Sequence, residues 1–138
     1  MRIVLDANLI AALVLQLPYA PAVDTKMLEW NKLGARFAAP ALWSYEVGAA
    51  LRKAIVTGFV AKGGLDAMVT QVWTLDIESI PNSPALQRRA LAWAERLGQS
   101  KAYDGAYLAV AEALGAEFWT ADRGLVRGAG VDWVRSIS

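Results

Sequence analysis

The sequence contains no cysteine and no histidine among its 138 residues. These absences exclude disulfides, thiol nucleophiles, imidazole general bases and the usual zinc sites. Any catalysis must therefore use carboxylates, hydroxyls, lysine or arginine. The lack of cysteine is compatible with the cytoplasm, which is the location that we expect.

Charge is also scarce, because charged residues make up 20% of the chain and hydrophobic residues 56%. A single domain spanning residues 1–138 can bury about 68–70% of its unfolded surface and needs no disulfide or zinc to do so. We interpret the apolar composition as a buried sheet together with an apolar surface that a partner covers. The net charge of +1 selects no class of partner.

An apolar segment near the N-terminus, residues 9–17, has the hydrophobicity of a signal peptide. However, only Arg2 supplies positive charge ahead of it, and Asp6 and Asn8 interrupt the apolar residues that precede it. The segment is also too short to span a bilayer. We therefore expect a strand followed by a helix here, and no membrane segment.

Short apolar runs alternate with longer helical segments along the chain. The predicted strands are residues 3–5, 36–39, 72–75, 117–120 and 131–134. The predicted helices are residues 9–15, 23–33, 40–57, 64–71, 84–97 and 102–114. This alternation predicts an α/β fold in which a mostly parallel sheet carries helices on both faces.

Glycine and proline mark the ends of several predicted helices. Pro40 and Pro84 suit first-turn positions, and Ser83 is a suitable N-cap before Pro84. Four glycines follow helical segments, where a left-handed residue can close the last turn. They are Gly34, Gly58, Gly98 and Gly115.

Three acidic residues stand where the pattern predicts a strand end or a helix start. Asp6 and Asp122 follow the first and fourth predicted strands, and each alone is adequately explained as a helix N-cap or turn residue. Asp104 begins a helix, where an acid complements the helix dipole. None of the three positions is unusual when taken singly.

Glu46 is harder to explain by local structure. It shares a helix face with Leu42, Ala49 and Ala50, which is an apolar face. An ionised glutamate on a buried face is costly without a partner. The alternative is a glutamate at the edge of that face that reaches solvent.

All four acids fall near one edge of the predicted sheet, outside the carboxyl ends of the strands, where ligands bind in such folds. Clustered carboxylates repel each other and take up protons unless a cation is present. Oxygen ligands without histidine or cysteine favour Mg²⁺ or Mn²⁺. The pattern therefore predicts a divalent metal site formed by Asp6, Glu46, Asp104 and Asp122.

The chain resembles the PIN-domain nucleases in the order and spacing of four segments, which are residues 3–8, 40–51, 102–112 and 120–125. The likeness is closest to the VapC-type toxins of toxin–antitoxin pairs, and residues 57–100 match only in helical character. The family's acids correspond to Asp6, Glu46, Asp104 and Asp122. Its small polar residue and its hydroxyl correspond to Asn8 and Thr120, which would orient ligands.

The resemblance implies a PIN-like three-layer sandwich with a mostly parallel five-stranded sheet. It also implies a homodimer, a Mg²⁺- or Mn²⁺-dependent endoribonuclease that leaves a 5′-phosphate and a 3′-hydroxyl, and an antitoxin protein that blocks the site. A housekeeping RNA-processing nuclease is an alternative within this class, although the short chain favours the toxin.

Basic residues give modest support for an RNA substrate. Once four acids are set aside as metal-neutralised, fourteen basic residues face nine acidic ones, an excess of five positive charges. The proposed phosphate contacts are Arg52, Lys53, Lys101, Arg123 and Arg127. The alternative for each is an ordinary solvated charge.

Two functions outside the nuclease class also fit parts of the pattern. A phosphatase of the haloacid-dehalogenase type places an aspartate after its first strand, but it requires a second aspartate two residues on, where this chain has Asn8. A non-catalytic domain that binds a metal or a partner through its acids would suit the apolar composition.

Overall fold

Five short segments form one sheet in the computed structural model, which describes residues 1–137. The strands are β1 Arg2–Leu5, β2 Arg36–Pro40, β3 Glu78–Ile80, β4 Glu117–Thr120 and β5 Val134–Ser136. Their order is β3-β2-β1-β4-β5, and all neighbouring strands are parallel. The predicted α/β fold with a five-stranded sheet is confirmed, and the sheet is entirely parallel within the described residues.

Seven α-helices connect these strands in the described part of the chain. They are α1 Ala7–Leu15, α2 Ala20–Lys32, α3 Trp43–Val56, α4 Leu65–Thr74, α5 Pro84–Leu97, α6 Tyr103–Leu114 and α7 Arg123–Ala129. A short 3-10 turn, Lys62–Gly64, precedes α4. Ser83 caps α5 by accepting a hydrogen bond from the Leu86 N–H at 3.1 Å, as predicted.

The helices cover both faces of the sheet, as the sequence predicts. On one face α6 packs on β1, β2 and β4, with α5 against α6. On the other face α1 packs against α2, α3 and α4. Successive strand residues alternate between these faces, so Phe118 meets Tyr107 of α6 while Trp119 meets Trp30 of α2.

The apolar N-terminal segment forms a core helix. Eight of the nine residues of α1 are buried, and Asn8 is the half-buried exception. A helix that is apolar on all sides is stable only when neighbours surround it. Within residues 1–137 no single helix is long and apolar enough to cross a membrane. Helices α1 and α2 together reach the necessary length and hydrophobicity, but the chain bends by 110° between them.

The prediction of a strand at residues 72–75 is wrong, because residues 72–74 belong to α4 and the third strand is Glu78–Ile80. Valine and tryptophan favour strands. Here the apolar residues Leu65, Met68 and Val72 recur at helical spacing and face the core. The helical period therefore overrides the local preference for a strand.

Other boundaries also differ from the prediction. Pro40 ends β2 and does not begin a helix, since α3 starts at Trp43. The predicted strand 131–134 overlaps β5 only at Val134, and α7 was not predicted. The four glycines expected at helix ends are confirmed, with φ between 61° and 76°. Such φ values suit a residue without Cβ.

The two helices α5 and α6 approach each other closely at Gly105. A Cβ placed on Gly105 would lie only 2.2 Å from the backbone oxygen of Ala90 on α5. Only glycine fits this contact without a shift of backbone. The contact therefore fixes the start of α6, where Asp104 lies.

We expect Gly105→Ala to destabilise the protein by about 1–3 kcal/mol, because the added methyl group overpacks the contact between α5 and α6. Gly48→Ala is the matched control, because Gly48 lies inside α3 and, apart from its chain neighbours and the backbone of its own helix, no atom lies within 4 Å of the added Cβ. That change should stabilise the helix by roughly 0.5–1 kcal/mol. Urea unfolding measures both, and a Gly105→Ala variant as stable as the wild type would contradict this packing.

Candidate active site

The strand order reverses at β1, because β2 and β3 lie on one side of it and β4 and β5 on the other. The carboxyl ends of β1 and β4 are adjacent, and the Asp6 N–H donates to the Trp119 carbonyl at 3.0 Å. Ligands of parallel α/β sheets bind in the crevice at such a reversal. Asp6 follows β1 and Asp122 follows β4, so both lie at this crevice.

A buried hydroxyl holds the carboxylate of Asp6. Thr120 is fully buried, and its Oγ1 donates to Asp6 Oδ2 at 2.7 Å. Thr120 Oγ1 also accepts hydrogen bonds, from the Asn8 side-chain amide at 3.3 Å and from the Asp122 N–H at 3.0 Å. Asn8 Oδ1 accepts from the Ala121 N–H at 3.3 Å. Hydrogen bonds of Asn8 and Thr120 thus connect the ends of β1 and β4 around Asp6.

Glu46 lies at the edge of the buried face of α3, not in its middle. The buried residues of this helix are Trp43, Val47, Leu51 and Ala54, whereas Ala49 is exposed. Of the two interpretations that the sequence leaves open, the structure therefore shows the glutamate at the edge of the face. Glu46 is half-buried, and its Oε1 accepts a hydrogen bond from the Tyr107 hydroxyl at 2.7 Å.

Asp104 is the second residue of α6 and is also half-buried. Its Oδ2 accepts from the Gln99 side-chain amide at 2.9 Å, which comes from the loop between α5 and α6. Tyr107 stands three residues further along α6, on the same side of the helix. One turn of α6 therefore supplies both an acid and the hydroxyl that holds Glu46.

Burial raises the pKa of Asp6 from an ordinary 3.8 to about 7, and the charges of Asp104 and Glu46 add to this rise. The hydrogen bonds from Thr120 and Asn8 oppose it. Burial and the charge of Asp104 also raise the pKa of Glu46, while the bond from Tyr107 lowers it. We name Asp6, Glu46 and Asp104 the acidic triad, because their charges repel across three separate elements.

Asp122 differs from the acidic triad in its surroundings. It is exposed, and its Oδ1 accepts from the Leu125 N–H at 3.0 Å, which caps α7. This is the local role that its sequence position also allows. Asp122 is linked to the acidic triad through its backbone N–H, which donates to the Thr120 hydroxyl that binds Asp6.

The acidic triad has the donor chemistry of a divalent cation site but is not assembled as one. Among residues 1–137, no group of three acidic side chains is close enough to hold a metal ion. Each carboxylate has one oxygen held by a neutral side-chain donor, from Thr120, Tyr107 or Gln99. A hard cation prefers carboxylate oxygens and offsets repulsion between them. The donor set therefore suits Mg²⁺ or Mn²⁺ in its chemistry, although the described residues do not assemble it around a single ion.

Three supporting residues were not predicted from the sequence. Tyr107 and Gln99 donate to Glu46 and Asp104, and the Tyr19 hydroxyl donates to the Asn8 carbonyl at 3.1 Å. Burial, and then the charge of Glu46, raise the pKa of Tyr107, so its phenol stays protonated and acts as a donor. In the sequence, only the position of Tyr107 one turn after Asp104 indicates that it could lie beside the acids.

The five predicted RNA-binding residues are all exposed, and they lie in three separate parts of the chain. Lys101 lines a cleft of about 510 Å³ together with Glu46 and Asp104. Lys53 lies on the side of α3 that carries Glu46, about 10 Å further along the helix, and Arg52 lies beside it. Arg123 and Arg127 belong to α7, next to Asp122. Lys101 is therefore the cation best placed for a ligand at the triad.

The fold is similar to that of PAE2754 from Pyrobaculum aerophilum, known from a crystal structure. The two structures give a TM-score of 0.72 at 23% sequence identity, over 99% of this chain and 84% of that chain. At this identity the likeness shows the fold alone. No protein-family model and no curated protein matches the chain.

The raised pKa of Asp6 predicts how the metal-free protein responds to pH. Between about pH 4 and 7 the folded state keeps a proton that the unfolded state releases, so stability falls as the pH rises through this window. Asp6→Asn removes the buried charge and keeps a good N-cap. We expect it to raise the Tm by at least about 4 °C at pH 8 and to change it little at pH 4.

Thermal unfolding in EDTA measures this effect. Asp24→Asn, on the exposed side of α2, is the matched control and should shift the Tm by a similar small amount at both pH values. A lower Tm for Asp6→Asn at pH 8 would show that the Asp6 charge is not destabilising.

Proposed function

We propose that this protein is a Mg²⁺- or Mn²⁺-dependent endoribonuclease of the PIN-domain type. The observation that carries the proposal is the acidic triad, in which a carboxylate that follows β1 and two from α3 and α6 interact electrostatically at the reversal of strand order. Perturbed pKa values in a cleft are typical of functional sites. The order of the acids along the chain supports the family assignment.

Asp6, Glu46 and Asp104 would hold the ion, and Asp122 would lie at the edge of the site. The chemistry that such an ion supplies when bound is acidification of water and neutralisation of charge on the phosphodiester. Thr120 and Asn8 keep the Asp6 carboxylate at the end of β1. Without a cation, Asp6 is partly protonated near pH 7, which lowers the repulsion within the triad.

Lys101 would bind the substrate phosphate, since it lines the same cleft as Glu46 and Asp104. Arg52, Lys53, Arg123 and Arg127 would contact phosphates further along the RNA. A route through the ribose 2′-hydroxyl commonly needs imidazole acid–base groups, which this chain lacks. The products that the resemblance implies, with a 5′-phosphate and a 3′-hydroxyl, are compatible with this absence.

Within this class we favour the toxin of a VapBC-type pair, acting in the cytoplasm as a homodimer that an antitoxin protein inhibits. Exposed apolar side chains support an interaction surface for such partners. Several of them lie on or near α3 and α4, namely Tyr45, Val56, Phe59, Val69 and Trp73. Growth arrest on expression, relieved by a neighbouring reading frame, separates the toxin from a housekeeping nuclease.

The purified protein should cleave structured RNA in Mg²⁺ or Mn²⁺, and EDTA should stop the reaction. Asp104→Asn should lower the rate by at least about 100-fold, because changes to the residues that merely support a metal site already cost about 10–100-fold. Asp24→Asn is the matched control and should retain full activity. Cleavage products resolved on denaturing gels measure the rate.

Three results would count against the proposed nuclease mechanism. Full activity of Asp104→Asn would show that the triad is not the catalytic site. A rise in Tm with Mg²⁺ and no cleavage of any RNA tested would instead indicate a non-catalytic metal-binding domain. Formation of a stable phospho-Asp6 would favour the phosphatase alternative.

A further inference from the structure

The phenol of Tyr107 is buried, although its hydroxyl is polar. Tyr107 is 1% exposed, and its ring packs on Phe118 of β4 with ring centroids 5.6 Å apart. A buried hydroxyl needs a hydrogen-bond partner. That partner is Oε1 of Glu46 at 2.7 Å, so the ring is fixed by packing and its hydroxyl meets a charged acceptor.

The hydrogen bond joins two helices that each carry an acid of the triad. Glu46 lies in the first turn of α3, and Tyr107 follows Asp104 by one turn on α6. The charge of Asp6 also acts on Tyr107, so the hydroxyl lies within electrostatic reach of both Glu46 and Asp6. No other hydrogen bond between side chains of α3 and α6 is found among the described residues.

Glu46 needs such a restraint more than the other acids do. Its side chain has more rotatable bonds than aspartate, and it is half-buried at the edge of α3. Free rotation would spread its carboxylate over several positions, and ordering it would then cost entropy when a ligand binds. The bond from Tyr107 orders Oε1 and leaves Oε2 for a ligand.

We propose that Tyr107 is a positioning residue that fixes the Glu46 carboxylate for divalent metal binding. The proposal rests on the metal-dependent function proposed above. It adds to the site a residue that is not one of the four acids carried over from the family resemblance. Tyr107 touches neither the metal nor the RNA in this role. It acts only through Glu46.

A double-mutant cycle with Mn²⁺ tests whether Tyr107 acts through Glu46. Tyr107→Phe keeps the ring and should weaken Mn²⁺ binding by about 10–100-fold, as supporting residues of metal sites do. In a Glu46→Gln background the same change should cost less than about 2-fold, because coupled residues are not additive. Electron paramagnetic resonance of free Mn²⁺ measures the affinities, and equal losses in both backgrounds would overturn the proposal.

Tyr45→Phe is the matched control for the loss of a hydroxyl. Tyr45 is adjacent to Glu46 in the chain but is 82% exposed. Its change should leave the Mn²⁺ affinity at the wild-type value. A loss as large as that of Tyr107→Phe would show that the effect is not specific to the buried phenol, and would also overturn the proposal.

A second readout needs no metal. The pKa of Glu46, followed by carbon-13 NMR of its carboxyl group in EDTA, should rise in Tyr107→Phe, because the lost bond favoured the charged form. An unchanged pKa would refute the positioning of Glu46. If the pKa of Glu46 rises in Tyr107→Phe but the wild-type protein binds no Mn²⁺, the Tyr107–Glu46 restraint is supported and the proposed metal-dependent function is refuted.

Discussion

The burial of the Asp6 carboxylate beside Thr120 is the constraint on which the rest of the site depends. Asp6 is half-buried at the end of a central strand, where the hydroxyl of Thr120 and the N–H of Asn8 bind its carboxylate. Burial and two neighbouring acids raise its pKa to about 7. The fold therefore keeps a charge at this place at the expense of its own stability.

Neutral donors hold the other two acids of the triad in a similar way. Tyr107 binds Glu46 and Gln99 binds Asp104, and none of these donors cancels a negative charge. An arginine or lysine in their place would stabilise the metal-free protein and would compete with a cation. The four salt bridges found among the described residues all lie on the surface, away from these acids. The site is thus ordered but electrostatically uncompensated, as the proposed metal-dependent chemistry requires.

The sequence predicts those features that depend on local pattern. The parallel sheet follows from alternating strands and helices, and the positions of Asp6 and Asp104 follow from the start of α1 and α6. The third strand could not be predicted, because β-branched and aromatic residues at 72–75 favour a strand while their spacing fits α4. The Tyr107–Glu46 bond joins residues 61 positions apart. It depends on how α3 and α6 meet, which no local pattern specifies.

A crystal structure of the protein soaked in Mn²⁺, with data collected at the manganese absorption edge, tests the central claim most directly. The account predicts an anomalous peak held by carboxylate oxygens of Asp6, Glu46 and Asp104, with Tyr107 still bound to Glu46. A structure in which Mn²⁺ binds elsewhere, or in which these carboxylates stay apart without metal at saturating Mn²⁺, would contradict it.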